Sequence, residues 1–307
     1  EKPQKGRLRE FYQFNCDMLG ESAAAIDAEL IALAIDVMVG FGFTKEHFAV
    51  RLSDRNIWKR FMQEAGIADD NETALLQIID KLERTKPDVL DAQLQAIGTT
   101  LAAVQAFTAS KAETEAVTTV RQQLDARGFG DFVSVDLSIV RGLAYYTGVV
   151  FEIFDCQGDM RAVAGGGRYD SLAKLIGGAD MPAAGFAMGD VVIGNFIEET
   201  PVAKARLDAH VKASFELDAY VIVASEERRP DALGVVQKLR SAGLRVDFAL
   251  TSAKVGKQFQ SAEQRNARLA IIVGDEFPNI SVKNLTTREE TSTTAEGLIE
   301  TVQHALG

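Results

Sequence analysis

The sequence predicts an α+β protein with two domains, and three patterns in the chain lead to this prediction. Residues 1–53 and 131–199 contain short strand-like segments, and a helical stretch at residues 54–130 separates them. From residue 218 to the end, strands and helices alternate, which is typical of a small α/β domain with a largely parallel sheet. Residues 200–217 have mixed charge and few large apolar side chains, so we expect a linker there.

The first domain is expected to open with a strand, a helix and a second strand. Residues 11–19 alternate as in a strand, residues 22–39 repeat apolar side chains at helical spacing, and residues 48–53 suit a short strand. Three polar side chains share one face of the first strand: Gln13, Asn15 and Asp17. Because an unpaired buried polar group costs roughly 1–3 kcal/mol, this face is expected to line a polar pocket.

The middle of the chain is predicted to be helical and then to return to strands. The predicted helices cover residues 57–64, 72–84, 88–97 and 114–126, and the predicted strands cover 132–137, 149–154 and 160–164. The last of these strands leads into the triple glycine at 165–167. Three glycines allow a close backbone approach and a positive φ. Their spacing fits neither a dinucleotide-binding fold nor a P-loop.

The second domain is predicted from its regular alternation of elements. The expected strands are residues 219–224, 245–249, 269–273 and 280–285, and the expected helices are residues 229–242, 255–266 and 294–305. Four polar residues lie near the start of one of these helices: Lys254, Lys257, Gln258 and Gln260. Taken alone, they indicate a solvated helix face.

Composition excludes several classes of protein. The 307 residues carry a net charge of −11, which argues against general nucleic-acid affinity but allows an RNA that is read in single-stranded loops through a local basic patch. The two cysteines, Cys16 and Cys156, have no CxxC spacing, so we expect neither a disulfide framework nor a metal site. No apolar run is long enough to span a bilayer, and a reducing, cytoplasmic location is expected.

Residues 139–152 concentrate the side chains best suited to chemistry. Arg141 is a planar, permanently charged donor that suits a carboxylate or a phosphate. Tyr145 and Tyr146 are adjacent, so on an extended backbone they would face opposite sides and wall a small polar pocket. The alternative is an ordinary strand with aromatic core residues and a surface arginine.

A family resemblance strengthens the first of these interpretations. Residues 141–152, Arg-Gly-Leu-Ala-Tyr-Tyr-Thr-Gly-Val-Val-Phe-Glu, resemble the signature peptide of histidyl-tRNA synthetases, with Ala144 in place of the usual Asp. Further resemblances follow in the family's order: residues 1–14 to class II motif 2, 164–170 to the second signature, 184–189 to the start of motif 3, and residue 219 onward to the anticodon-binding domain. The resemblance implies a class II synthetase-type antiparallel sheet flanked by helices, with a helical insertion and a C-terminal α/β anticodon-binding domain.

The resemblance also implies a function and a set of site residues. The expected reaction is ATP-dependent ligation of histidine to tRNA(His) through a histidyl-adenylate, with Mg²⁺-bound ATP as a substrate and no tightly bound cofactor. A homodimer is expected for the full-length protein. Arg141 would be catalytic and would also contact histidine. The other histidine-binding residues would be Gln13, Asp17, Tyr145, Tyr146 and Tyr169, and the ATP-binding residues Glu1, Arg7 and Phe11.

Two departures from the family pattern keep an alternative open. Val191 and Val192 stand where motif 3 normally carries Gly-x-Glu-Arg, whose arginine braces the ATP phosphates. Motif 1 would lie upstream of Glu1, so we expect an N-terminally truncated chain. The alternative function is a non-catalytic histidine sensor that regulates another enzyme of the histidine pathway. A structural RNA-binding protein is a third possibility, which the net charge disfavours.

Overall fold

The computed structural model describes residues 10–143, 145–157 and 161–307, and the chain divides into two compact units. The first unit extends to Leu207, and the second runs from Asp208 to Gly307. The domain limits given above remain predictions. Among the described helices, none combines the length and hydrophobicity needed to traverse a lipid bilayer.

The first unit is built on a six-stranded sheet. Its strands are β1 (Gln13–Leu19), β2 (Phe48–Asp54), β3 (Val133–Val135), β4 (Val149–Asp155), β5 (Ala164–Arg168) and β6 (Ala183–Gly189). Their order is β1-β6-β5-β4-β2-β3, and every neighbouring pair is antiparallel except β2 and β3. The predicted antiparallel sheet, assembled from two segments of the chain, is therefore confirmed.

Helices pack against this sheet and make up most of the segment between β2 and β3. They are α1 (Ala25–Gly40), α2 (Asn56–Ala65), α3 (Glu72–Ile79), α4 (Pro87–Ala96), α5 (Leu101–Ala109), α6 (Glu115–Ala126), α7 (Leu172–Leu175), α8 (Asp190–Glu199) and α9 (Pro201–Phe215). Helix α5 was not predicted, the predicted helix at 72–84 ends at Ile79, and the division between the units falls within α9, where a linker was expected.

One hydrophobic core lies behind the six-stranded sheet. Helix α1 packs on this face, and Leu30, Ile31 and Ile35 are almost completely buried there. The helices between β2 and β3 contribute to the same core, and the indole nitrogen of Trp58 on α2 donates a hydrogen bond to the Leu137 carbonyl oxygen at 3.0 Å. The opposite face of the sheet is thus left open for a site.

The triple glycine corrects one sequence prediction. Gly165, Gly166 and Gly167 form the interior of β5 itself, whereas the sequence suggested that a strand ended before them. None of the three adopts a positive φ, so the left-handed conformation that glycine permits is not used. The expected close approach of neighbouring groups is confirmed, because a Cβ at any of the three would collide with them.

The second unit contains a five-stranded mixed sheet. Its strands are β7 (Ala219–Val223), β8 (Val246–Phe248), β9 (Leu269–Val273), β10 (Asn279–Asn284) and β11 (Glu290–Thr294), and its helices are α10 (Arg229–Ser241), α11 (Val255–Gln264) and α12 (Leu298–Leu306). Strand β7 is parallel to β8 and β9, whereas β10 is antiparallel to β9 and β11. The prediction of a largely parallel sheet was therefore wrong. The connection between β9 and β10 is short, and a short connection can join neighbouring strands only when they are antiparallel.

Gln258 on α11 also differs from its sequence interpretation. Its side chain is almost completely buried, and its amide bonds both the backbone nitrogen and the carbonyl oxygen of Val223, at 2.9 and 2.8 Å. Gln258 therefore fixes α11 to the end of β7 and does not face solvent. Its neighbours Lys254, Lys257 and Gln260 are exposed.

Candidate active site

Small residues lie at the centre of the open face of the six-stranded sheet and form the floor of the site. Residues paired directly across neighbouring antiparallel strands place their side chains on the same face. One such row contains Asn15, Ala187, Gly165, Glu152 and Arg51, in that order across the sheet. A second row contains Asp17, Gly185, Gly167 and Val150. The floor therefore consists of glycine and alanine between polar residues of β1 and a carboxylate of β4.

Arg141 lies directly on this floor, above Gly165. A Cβ built on Gly165 would lie 2.5 Å from Arg141 Nη1 and 2.8 Å from its Cζ, so only glycine leaves room for the guanidinium. Nη1 also donates to Glu152 Oε1 in the next strand. Arg141 has a φ of 56°, which is uncommon for a residue other than glycine. The strand and the loop thus hold the guanidinium in one place.

The charge of Arg141 is stabilised although the side chain is largely buried. Its side chain is 22% exposed and that of Glu152 is 19% exposed. Burial disfavours the charged guanidinium, but the Glu152 carboxylate and the Tyr146 phenol outweigh it and raise the pKa of Arg141. The Tyr146 ring centre lies 5.9 Å from Arg141 Cζ. The site thus contains a fixed cation whose Nε has no hydrogen-bond partner among the described residues.

Three tyrosines form a cluster beside Arg141. The ring centres of Tyr145 and Tyr146 are 4.7 Å apart, and Tyr169 lies 5.7 Å from Tyr145 and 6.2 Å from Tyr146. The expectation that the adjacent tyrosines face opposite sides was wrong. It assumed an extended backbone, but β4 begins only at Val149 and the preceding residues form a loop. Both rings therefore reach the same cluster.

A hydrogen bond joins this cluster to β1. Tyr169 Oη donates to Asp17 Oδ1, and Gly185 leaves the space that both groups occupy. Burial raises the pKa of Tyr145 to about 12, with a further contribution from Tyr146. Burial and the hydrogen bond to Asp17 also raise the pKa of Tyr169. Both phenols are therefore protonated at neutral pH and can act as hydrogen-bond donors.

Among the described residues, Arg141 lines three cavities, and two of them contain further predicted site residues. The larger of these two has a volume of about 290 Å³, and its lining includes Phe11, Gln13, Arg141, Arg161, Asp190 and Val192. The smaller, of about 160 Å³, is lined by Arg55, Arg141 and Tyr146 together with residues of α3. The third, of about 630 Å³, extends from Arg141 past Glu152 and reaches Asp80 and Glu83. The structure thus brings Phe11, Gln13 and Arg141 together, with Asp17 and the tyrosines on the other side of Arg141. The predicted ATP-binding residues Glu1 and Arg7 lie outside the described residues.

Sequence reasoning missed two residues of this site. Glu152 holds the guanidinium of Arg141, and its position in the same signature peptide was an available signal. Arg55 contacts the loop that carries Arg141, but no sequence pattern links the two segments. In the part of the chain that the structure describes, no group of three His, Cys, Asp or Glu residues is placed to hold a metal ion.

Known proteins resemble this chain along most of its length. Residues 1–190 match the family model of histidyl-tRNA synthetase, and residues 218–305 match that of an anticodon-binding domain. The histidine–tRNA ligase of Opitutus terrae is 38% identical, with 96% of this chain and 72% of that protein aligned. That of Halobacterium salinarum is 34% identical, over 95% of this chain and 71% of that protein.

Solved structures share the fold. A histidyl-tRNA synthetase from a Nostoc species superposes with a TM-score of 0.70 at 23% identity, over 96% of this chain and 74% of that one. The apo enzyme from Staphylococcus aureus gives 0.66 at 23% identity, over 97% and 74%. A Bacillus halodurans protein, described as an ATP phosphoribosyltransferase regulatory subunit/histidyl-tRNA synthetase, gives 0.58 at 21% identity, over 85% and 68%. Together with the family models and the sequence relatives, the motifs on this sheet establish that the chain belongs to the histidyl-tRNA synthetase family of class II aminoacyl-tRNA synthetases.

Proposed function

We propose that this chain joins histidine to tRNA(His) in two steps, with histidyl-adenylate as the intermediate. In the first step, a carboxylate oxygen of histidine attacks the α-phosphorus of ATP, and pyrophosphate leaves. In the second step, a hydroxyl of the terminal ribose of tRNA attacks the adenylate carbonyl, and AMP leaves. The observation that carries this proposal is the position of Arg141, fixed between the larger cavity and the tyrosine cluster.

Arg141 is proposed to stabilise the charge that develops in the first step. The attacking carboxylate and the α-phosphate are both anionic, so bringing them together needs a fixed cation more than a proton donor. Glu152 and Gly165 hold the guanidinium in place before any substrate arrives. A preorganised charge of this kind needs little reorganisation in the transition state.

The tyrosine cluster and β1 are proposed to recognise histidine. Tyr169 donates to Asp17, which leaves the remaining lone pairs of this carboxylate free to accept the imidazole N–H. Tyr145, Tyr146 and Gln13 would complete the pocket around the ring and the amino group. A site built on such hydrogen bonds rejects amino acids that lack the imidazole by large factors, because its polar groups would be left unpaired.

The larger cavity is proposed to hold ATP. Phe11 is 50% exposed where this cavity opens, so its ring is free to stack on adenine. The family resemblance assigns Glu1 and Arg7 to the same nucleotide, which would enter with Mg²⁺ bound to its phosphates. Val191 and Val192 line the cavity where the motif 3 arginine is expected, so the phosphates would depend more strongly on the other cations.

The second unit is proposed to bind the anticodon of tRNA(His). Its match to an anticodon-binding family supports this role, and Lys254, Lys257 and Gln260 present polar side chains near the start of α11. Unpaired loop bases are the usual targets of such contacts. A homodimer is also proposed, and sedimentation of the full-length protein would test it.

Substitution of Arg141 provides the direct test of this function. Arg141→Ala should slow histidine-dependent ATP–pyrophosphate exchange by about 10²–10³-fold, because a preorganised charge is lost from the transition state. Histidine affinity should change little, since most contacts to the ring remain. Arg60→Ala is the matched control, because Arg60 is an exposed arginine on α2 that lies outside both cavities. An unchanged exchange rate in Arg141→Ala would refute the assigned role.

A histidine-sensing regulator is the second candidate, and the two valines in the larger cavity favour it. Such a protein would bind histidine through the tyrosine cluster but would not activate it. Histidine binding and histidine-dependent ATP–pyrophosphate exchange, measured on the unmodified full-length protein, distinguish the two functions. Histidine binding without any histidine-dependent exchange would identify a regulator, whereas exchange would identify a synthetase.

A further inference from the structure

Arg55 lies buried between the end of β2 and the start of α2, and it contacts the loop that carries Arg141. The residue is 7% exposed. Its Nη1 donates to the carbonyl oxygens of Leu143 and Tyr146, each at 2.9 Å. One nitrogen therefore joins the two ends of a short loop segment that includes Tyr145.

Arg55 and its neighbour Asn56 bind two further carbonyls of this loop. The backbone nitrogen of Arg55 donates to the Gly148 carbonyl oxygen at 3.0 Å, and Asn56 Nδ2 donates to that of Thr147 at 3.3 Å. The loop lies outside any strand or helix, so these carbonyls have no ladder partner of their own. Because buried carbonyls need partners, the conformation of the loop depends on this segment.

Arg55 differs from other buried arginines because no carboxylate among the described residues is paired with its charge. Burial lowers the pKa of Arg55, and the distant charge of Glu72 only partly opposes this effect. In the described parts of the chain, no carboxylate lies within ion-pairing distance of Arg55. Arg168, which is equally buried, is compensated by Asp27 and Asp170. A cation buried against neutral carbonyls is costly for stability, so its placement indicates a role in shaping the loop.

We propose that Arg55 is a positioning residue for the reaction, which sets the loop so that Arg141 and Tyr146 meet over the sheet. This inference rests on the proposed function. Arg55 also lines the smaller cavity, but in this proposal it acts through the loop and not by contact with a substrate. Two N–H groups on one planar nitrogen suit two carbonyls at fixed separation, a geometry that the ammonium of lysine does not reproduce.

The first test compares Arg55→Met with Arg60→Met in the full-length protein. Arg55→Met keeps an apolar stem in the space but removes both hydrogen bonds. We expect kcat for histidine-dependent ATP–pyrophosphate exchange to fall about 10²-fold, because a small displacement of a positioned group has an effect of this order. The KM for ATP should stay within about threefold of its original value, since Phe11 and the lining of the larger cavity other than Arg141 are unchanged. Arg60→Met should match the unmodified protein.

Hydrogen–deuterium exchange provides a readout that does not depend on activity. In Arg55→Met, amides of residues 139–148 should exchange faster, while those of β1, β5 and β6 keep their original rates. A purely global loss of stability would instead accelerate exchange throughout the first unit. This measurement separates the inference from the proposed function, because it gives a result even if the protein proves inactive.

Chemical rescue completes the test. Guanidinium ion added at low concentration should restore part of the ATP–pyrophosphate exchange activity of Arg55→Ala, because it can occupy the vacated space and bind the same carbonyls. Arg55→Met with full activity and unchanged amide exchange in residues 139–148 would overturn the proposal. It would equally be overturned if amide exchange rose uniformly and guanidinium restored nothing, since Arg55 would then only stabilise the fold.

Discussion

The two faces of the six-stranded sheet differ most clearly at two consecutive glycines of β5. Gly165 points to the open face, where Arg141 lies against it. Gly166 points to the core, where it is paired with Phe151 of β4 and Phe186 of β6, both buried. A Cβ on Gly166 would lie 2.5 Å from Phe186 Cβ and 2.7 Å from its Cα. The same residue type is thus required by a functional side chain on one face and by the backbone on the other.

The difference lies in what each neighbour can do when a methyl group is added. Arg141 meets Gly165 with the far end of a flexible side chain, which can move away without disturbing the strands. Phe186 meets Gly166 with its backbone and Cβ, which can move only if the sheet itself shifts. Function should therefore be sensitive at Gly165 and stability at Gly166.

Of the two glycine substitutions, Gly165→Ala should have the larger effect on activity. The added methyl group displaces the Arg141 guanidinium from the floor, so histidine-dependent pyrophosphate exchange should fall about 10²-fold, or about 2.7 kcal/mol in the activation barrier. Thermal unfolding should change little, because the guanidinium can move into the cavities that Arg141 lines without shifting the strands. Steady-state exchange kinetics and a melting curve on the same sample measure both quantities. A variant that keeps full activity would show that Arg141 does not need this position.

Gly166→Ala is the matched control on the opposite face and should show the reverse pattern. Its methyl group overpacks the core between Phe151 and Phe186, which should lower the free energy of unfolding by about 1–3 kcal/mol. Exchange activity per folded molecule should stay close to that of the unmodified protein. Denaturant titration checks the stability, and a larger loss of activity than of stability would refute the separation of the two faces.

The sequence predicted the polar side of the site better than its floor. Gln13, Asn15 and Asp17 alternate along a strand, so their common face follows from the period of two, and β1 confirmed it. The glycines of β5 were mistaken for the end of a strand, because glycine is depleted in strands and shows no alternation. Their placement depends on Arg141 and Phe186, which lie elsewhere in the chain.

Arg55 shows more generally which contacts a sequence hides. Its two hydrogen-bond partners, Leu143 and Tyr146, lie 88 and 91 residues away, and both accept through a backbone carbonyl oxygen. Backbone acceptors carry no sequence signature, so a pattern cannot reveal this interaction. Strand β11 was missed for a related reason, since its polar residues Glu290–Thr294 alternate no apolar side chain and are placed only by pairing with β10.

The phenols on the open face provide the smallest predicted effect. Burial raises the pKa of Tyr145 to about 12, whereas an unperturbed phenol ionises near pH 10. Between these two pH values, Tyr145 is ionised in the unfolded state but still protonated in the folded state. The free energy of unfolding is therefore unaffected by this group below about pH 10, and it falls as the pH rises toward 12. Tyr169, whose pKa is also raised, acts in the same direction.

Tyr145→Phe should make this alkaline decrease in stability shallower, and Tyr12→Phe, which removes an exposed phenol at the edge of the sheet, is its control. Phenolate absorbance after a rapid pH jump should likewise lose a late-titrating component in Tyr145→Phe but not in Tyr12→Phe. If the component lost in Tyr145→Phe titrated over the same pH range as the component lost in Tyr12→Phe, Tyr145 would not be buried in the cluster. Its proposed contact with histidine would then have to be abandoned, although the role of Gly165 beneath Arg141 would be unaffected.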